Sequence, residues 1–90
     1  MLSSPTYDAI ARLTEEALKE IGDWGNVRDR VTIARRYVEL LAVDPTRKDH
    51  GYGLSAALLD LSYIAIRQKK PALAADLQKL VIAIDAERLA

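Results

Sequence analysis

Ser55 stands five residues after His50, with Asp49 on one side and Asp60 on the other, so a serine, a histidine and a carboxylate occur close together in the chain. A hydrolase would use such a set as nucleophile, base and orienting acid. The spacing fits no nucleophile elbow, because Gly-x-Ser-x-Gly does not occur in the chain. Ser55 and Ser62 are better suited to a helix, where each hydroxyl can bond a carbonyl one turn back. Metal chemistry is short of ligands. His50 is the only histidine and cysteine is absent, so Asp44, Asp49 and His50 offer at best a poor oxygen-rich site. Zinc takes three or four N, S or O ligands. Gly51-Tyr52-Gly53 lacks the Gly-x-x-x-x-Gly-Lys spacing of a phosphate loop and follows no strand. These residues predict a protein that is not an enzyme and uses no cofactor or metal.

Residues suited to recognition are more numerous. Arg28, Arg30, Arg35 and Arg36 fall on one predicted helix, and Arg47 and Lys48 follow it. Such a group could neutralise phosphates in DNA or RNA. Asp29 and Glu39 are interleaved, however, and Glu39 is spaced to pair with Arg35. A helix-turn-helix would need an exposed polar reading helix after a short turn. The next helix here is the most apolar in the chain. Thirteen basic residues balance thirteen acidic ones, which argues against a dedicated nucleic-acid or membrane-surface binder. Residues 1–25 are acidic and residues 26–50 mildly basic, so the arginine face can also pair with the first helix. Trp24 in a short turn and Tyr52 between two glycines are aromatic anchors of the kind that interfaces use. The expected partner-binding residues are therefore Trp24, Arg28, Arg35, Arg36, Arg47, His50 and Tyr52, with 44–53 as a mobile contact loop.

Ninety residues make one domain spanning 1–90. Alanine and leucine dominate, phenylalanine is absent, and β-branched residues are sparse, so the predicted fold is all-α. Four helices are expected, at about 5–21, 27–43, 54–68 and 71–89, forming a compact four-helix bundle. Ser4 is the expected cap of the first, Pro5 its first residue and Gly22 its stop. Tyr7, Ile10, Thr14, Ala17, Leu18 and Ile21 would face inward. In the second, Val27, Val31, Ala34, Val38 and Leu41 form the inward stripe, and Asp44-Pro45 ends it. The fourth starts at Pro71, with Leu73, Leu77, Leu80, Val81 and Ile84 inward.

The third helix carries Leu54, Leu58, Leu61 and Ala65 in one stripe, flanked by Leu59 and Ile66 on one side and Ala57 and Ile64 on the other. Its apolar arc is about 220° wide, more than twice that of an ordinary surface helix. It is expected to be central. The flank Leu59–Ile66, with Ala75, Ile82 and Ala86 on the back of the fourth helix, is expected to join two copies as a homodimer. The run Tyr37-Val38-Glu39-Leu40-Leu41-Ala42-Val43-Asp44-Pro45 resembles the end of a tetratricopeptide repeat. The interval from Asp44 to Asp85 is 41 residues, against roughly 34 in that repeat, so the likeness extends to helical hairpins and no further.

Met1-Leu2-Ser3-Ser4-Pro5 lacks a basic and an apolar region, so no signal peptide is expected, and no membrane span is expected because no apolar run approaches the roughly 20 residues one needs. With no cysteine, a cytoplasmic setting is expected. The function these features favour is a small protein-interaction module: an adaptor, inhibitor or regulator of bacterial or phage type that self-associates. The alternatives are a helical DNA- or RNA-binding regulator using the arginines, and a non-catalytic subunit of a larger enzyme.

Overall fold

Ser3 opens the first helix. Its side-chain oxygen accepts the Thr6 amide hydrogen at 3.4 Å, and proline follows within the first turn. The expected cap, Ser4, is thus the first helical residue instead. In the computed structural model, which describes residues 2–22 and 25–89, four helices follow one another: α1 (Ser4–Glu20), α2 (Gly25–Val43), α3 (Lys48–Arg67) and α4 (Pro71–Leu89). Gly22, at φ 111°, takes the left-handed conformation that stops α1. Between α3 and α4 the same role falls to Lys69, at φ 60°. The Lys70 amide bonds the Ala65 carbonyl at 2.8 Å and the Lys69 amide bonds Ile66 at 3.1 Å, which closes the helix end.

The helices pack in a ring, α1 on α2, α2 on α3, α3 on α4 and α4 back on α1, the arrangement of a four-helix bundle. The two most extensive interfaces both belong to α3, which lies between α2 and α4. Leu54, Leu58, Leu61 and Ala65 are fully buried there, opposite Leu77 and Ile84 of α4 and Val27 and Val31 of α2. The five inward residues expected for α4 are all buried.

Three expectations need correction. The segment 48–53 is helix, not loop: α3 begins at Lys48, six residues before the apolar run. Gly51 and Gly53 serve close approach there. A Cβ at 51 would lie 2.0 Å from Arg88 Cδ, and one at 53 would lie 2.3 Å from the Tyr37 ring. In α1 the buried face is Thr6, Ile10, Leu13, Thr14 and Ala17, with Tyr7, Leu18 and Ile21 only partly covered. The face is turned toward Leu13 because α1 must meet both α2 and α4. Finally, the bundle covers less of the α3 arc than its width suggests. Leu59 is half-buried and Ile66 is 52% exposed.

Two substitutions separate core from turn. Leu58→Ala removes a fully buried side chain and is expected to cost about 2–5 kcal/mol. Lys69→Gly relieves a left-handed lysine and is expected to add about 0.5–1 kcal/mol. Urea unfolding of the two variants beside the parent measures both.

Candidate functional site

One end of the bundle collects the start of α1, the end of α2, the start of α3 and the end of α4, and most of the polar side-chain bonds between distant residues lie there. The chain leaves α2 through Asp44, whose Oδ1 accepts the Thr46 amide at 3.1 Å and the Thr46 hydroxyl at 2.6 Å. The hydroxyl is the main cause that holds the Asp44 carboxyl below its usual range. Arg47 then takes the capping position of α3 but makes no side-chain cap bond. Its guanidinium instead forks onto Asp49, with Nε at 3.1 Å and a terminal nitrogen at 2.9 Å. That pairing lowers the Asp49 pKa and raises that of Arg47.

Arg88 comes in from the end of α4. Its guanidinium sits 4.3 Å from the centre of the Tyr52 ring and donates to Asp85 Oδ1 at 3.0 Å. The Arg88 side chain is only 13% exposed, and its Nε is buried without an acceptor. Asp85 Oδ1 also accepts the Ser55 hydroxyl at 2.8 Å. Ser55 thus bonds across to α4, not to its own backbone as expected. Ser62 does bond one turn back, to the Leu59 carbonyl at 2.6 Å. The His50 ring lies 6.1 Å from that of Tyr37 at a tilt of 47°, with its Nδ1 buried and unpartnered.

The N-terminal segment is fastened to the same end. Glu87 accepts the Ser3 amide at 2.7 Å and, through its other oxygen, the Thr6 hydroxyl. The Thr6 bond is the largest cause of a lowered Glu87 pKa, with Ser3 next. Beneath this segment lies a pocket of about 170 Å³. Leu2, Tyr7, Leu41 and Pro45 supply its apolar lining, and Arg47, Lys48 and Arg88 its charge.

The predicted partner-binding residues separate into groups. Arg47, at the cap of α3, and His50 and Tyr52, in its first turns, all lie at this end, where a mobile loop was expected. Tyr52 is 58% exposed on one face and covered by Arg88 on the other. Arg28 and Arg35 line a shallow depression between α1 and α2, beside Leu18 and Lys19. Arg35 pairs with Glu15 of α1 at 3.5 Å, and Glu39 is taken by Arg36 at 3.2 Å, so the expected Arg35–Glu39 pair gives way to these two. Arg30 faces Asp60 of α3 at 3.5 Å. Trp24 lies outside the described residues. Among those residues no three potential metal-ligating side chains gather, and no helix is long and apolar enough to cross a membrane.

The predicted self-association residues lie along one outer seam. With Ser55 bonded to Asp85, antiparallel helices of equal rise set Leu59 level with Val81 and Ile66 level with Ala74, the residues just before Ile82 and Ala75. Ala75, Ile82 and Ala86 are exposed on the back of α4. Sequence reasoning missed Arg88 and Glu87. Their only local signal is an i,i+3 charge pair, Asp85–Arg88, at the end of a helix. The chain matches no protein-family model, no curated protein and no solved structure.

Glu87 gives this end a pH dependence. Its folded pKa lies below its ordinary value, so the unfolded chain takes up the proton first as pH falls. The Glu87 contribution is present above the ordinary carboxylate pKa and is lost as pH drops from there through the lower folded value. Melting temperature should therefore fall more steeply across that window in the parent than in Glu87→Gln. Parallel slopes would show that Glu87 contributes nothing.

Proposed function

We propose that this protein is a small non-enzymatic interaction module that pairs with a second copy of itself through the outer seam of α3 and α4. The observation that carries the reading is the outward apolar stripe. Ile82 is 69% exposed and Ile66 is 52% exposed. Leu59 is partly buried on the same flank of α3 as Ile66, and Ala75 and Ala86 are exposed on α4. Scattered surface hydrophobics need no explanation, whereas a run of them across two adjacent helices marks a contact surface. A two-fold pairing places the same stripe on both sides. The balanced charge of the chain offers no net repulsion between copies.

The dimer then acts as a regulator or adaptor of bacterial or phage type. Its partner protein is engaged through the arginine face of α2 and the Arg47–His50–Tyr52 corner. The arginine face supports a protein partner over nucleic acid, because Arg30, Arg35 and Arg36 each hold a carboxylate that weakens the field phosphates would feel. A cysteine-free chain suits a cytoplasmic setting.

Sedimentation equilibrium tests the pairing. The parent should show twice 10.0 kDa at about 10–100 µM, with a dissociation constant on the order of micromolar. Ile82→Lys and Ile66→Lys should each give monomer with unchanged helical circular dichroism, since both side chains are already half or more in water. A parent that stays at 10.0 kDa throughout removes the reading.

A further inference from the structure

We propose that the pocket at the end of the bundle where α2 passes into α3 binds a small organic anion: a monocarboxylate whose apolar body is about the size of one benzene ring. The pocket measures about 170 Å³, close to the roughly 150 Å³ of an apolar cavity that accepts benzene. Leu2, Leu41, Pro45 and the Tyr7 side chain give it an apolar lining. Thr46 and three cations, with no carboxylate, complete that lining. Arg47 and Arg88 each hold one acid outside it, Asp49 and Asp85. Lys48 makes no ion pair among the described residues.

Arg88 is the second support. Gly51, Tyr52 and Asp85 clamp its guanidinium in place. Its Nε nevertheless has no acceptor and no access to water. Buried donors are rarely left in that state, because the loss of water is not repaid. A carboxylate in the pocket, which Arg88 lines, would add an acceptor beside this guanidinium but not at its Nε, which no solvent reaches. At the start of α3, Arg47 occupies the cap without a side-chain cap bond and Asp49 in the first turn already offsets part of the positive helix end, so the attraction rests on the cations of the lining. The apolar lining favours a carboxylate with a hydrocarbon body over inorganic phosphate. The site lies at the bundle end and the self-association seam along its side, so each proposal stands or falls without the other.

Titration of benzoate into the full-length ¹⁵N-labelled chain is the test. Saturable shifts are expected at the amides of residues 46–50 and at Arg88 Nε–H, with a dissociation constant on the order of 1 mM or tighter for a ligand this small. Benzamide, equal in shape but neutral, should bind at least about tenfold more weakly, since the charge-assisted bonds are lost. Inorganic phosphate should also be weaker than benzoate. The double variant Arg47→Met, Lys48→Met changes two exposed side chains. It should keep the parent melting temperature, lose about fivefold or more in benzoate affinity and narrow the gap to benzamide. Arg88→Met should abolish binding; if that variant fails to fold, the double variant decides. The site is overturned if those amides do not move at about 20 mM benzoate, well above the expected constant. Equal binding of benzamide, or parent affinity in the double variant, overturns it as well.

Discussion

Leu54, Leu58, Leu61 and Ala65 reach no water, and the exclusion of water from that stripe is the constraint on which the other elements depend. Each leucine buried there contributes about 1.5–3 kcal/mol relative to exposure. The gain is realised only if α2 and α4 cover α3 from both sides. Small residues allow this closeness. Ala17, Ala34, Ala57, Ala65 and Ala74 are all buried, and no phenylalanine props the helices apart. The two deepest hydroxyls do not interfere. Thr14 donates to the Ile10 carbonyl at 2.7 Å and Ser62 to that of Leu59, so each is satisfied within its own helix.

A core of leucine and alanine excludes water well but distinguishes poorly between one register and the next. The bonds that do distinguish sit at its edges. Ser55 on Asp85 fixes α3 against α4, Glu87 on Ser3 and Thr6 fixes α4 against the chain start, and Arg30 toward Asp60 leans α2 on α3. Two of the three lie at one end. There α3 runs nearly two turns past its apolar stretch, and the extension survives because glycine at 51 and 53 lets Arg88 and Tyr37 lie against the helix. The polar end thus supplies the specificity that the dry middle lacks.

Much of this was legible in the residues alone. Pro5, Gly22 and Pro71 mark helix limits by local stereochemistry, and the stripes of α2 and α4 follow from a period of 3.6, so those elements stand where expected. The start of α3 did not yield to the same reasoning. Gly51-Tyr52-Gly53 has the local look of a turn, and nothing within ten residues says otherwise. What the glycines serve is the approach of side chains from positions 37 and 88, which are distant in sequence. Arg88 itself resembles any solvated arginine at a helix end until α3 is laid against it. The Leu59–Ile66 flank and the back of α4 could be recognised as apolar. The breadth of the arc did not reveal how much of it three neighbours would cover.

The back of α4 is where folding alone runs short as an explanation. Ala75, Ile82, Ala86 and Leu89 point away from the core, and lysine or glutamate at those places would serve the monomer at least as well. The core face of the same helix is complete without them, with Leu73, Leu77, Leu80, Val81 and Ile84 all buried. An isoleucine in water is poorly hydrated and its β-branch weakens the helix slightly, so Ile82 brings the folded monomer no benefit. Cover over such a residue would remove that cost. Leu59 across the seam, half sheltered and touching the core, gives that cover a continuous path from the surface to the interior. A partner seated on the seam would extend the water-free zone outward from α3, by the same effect that assembles the bundle.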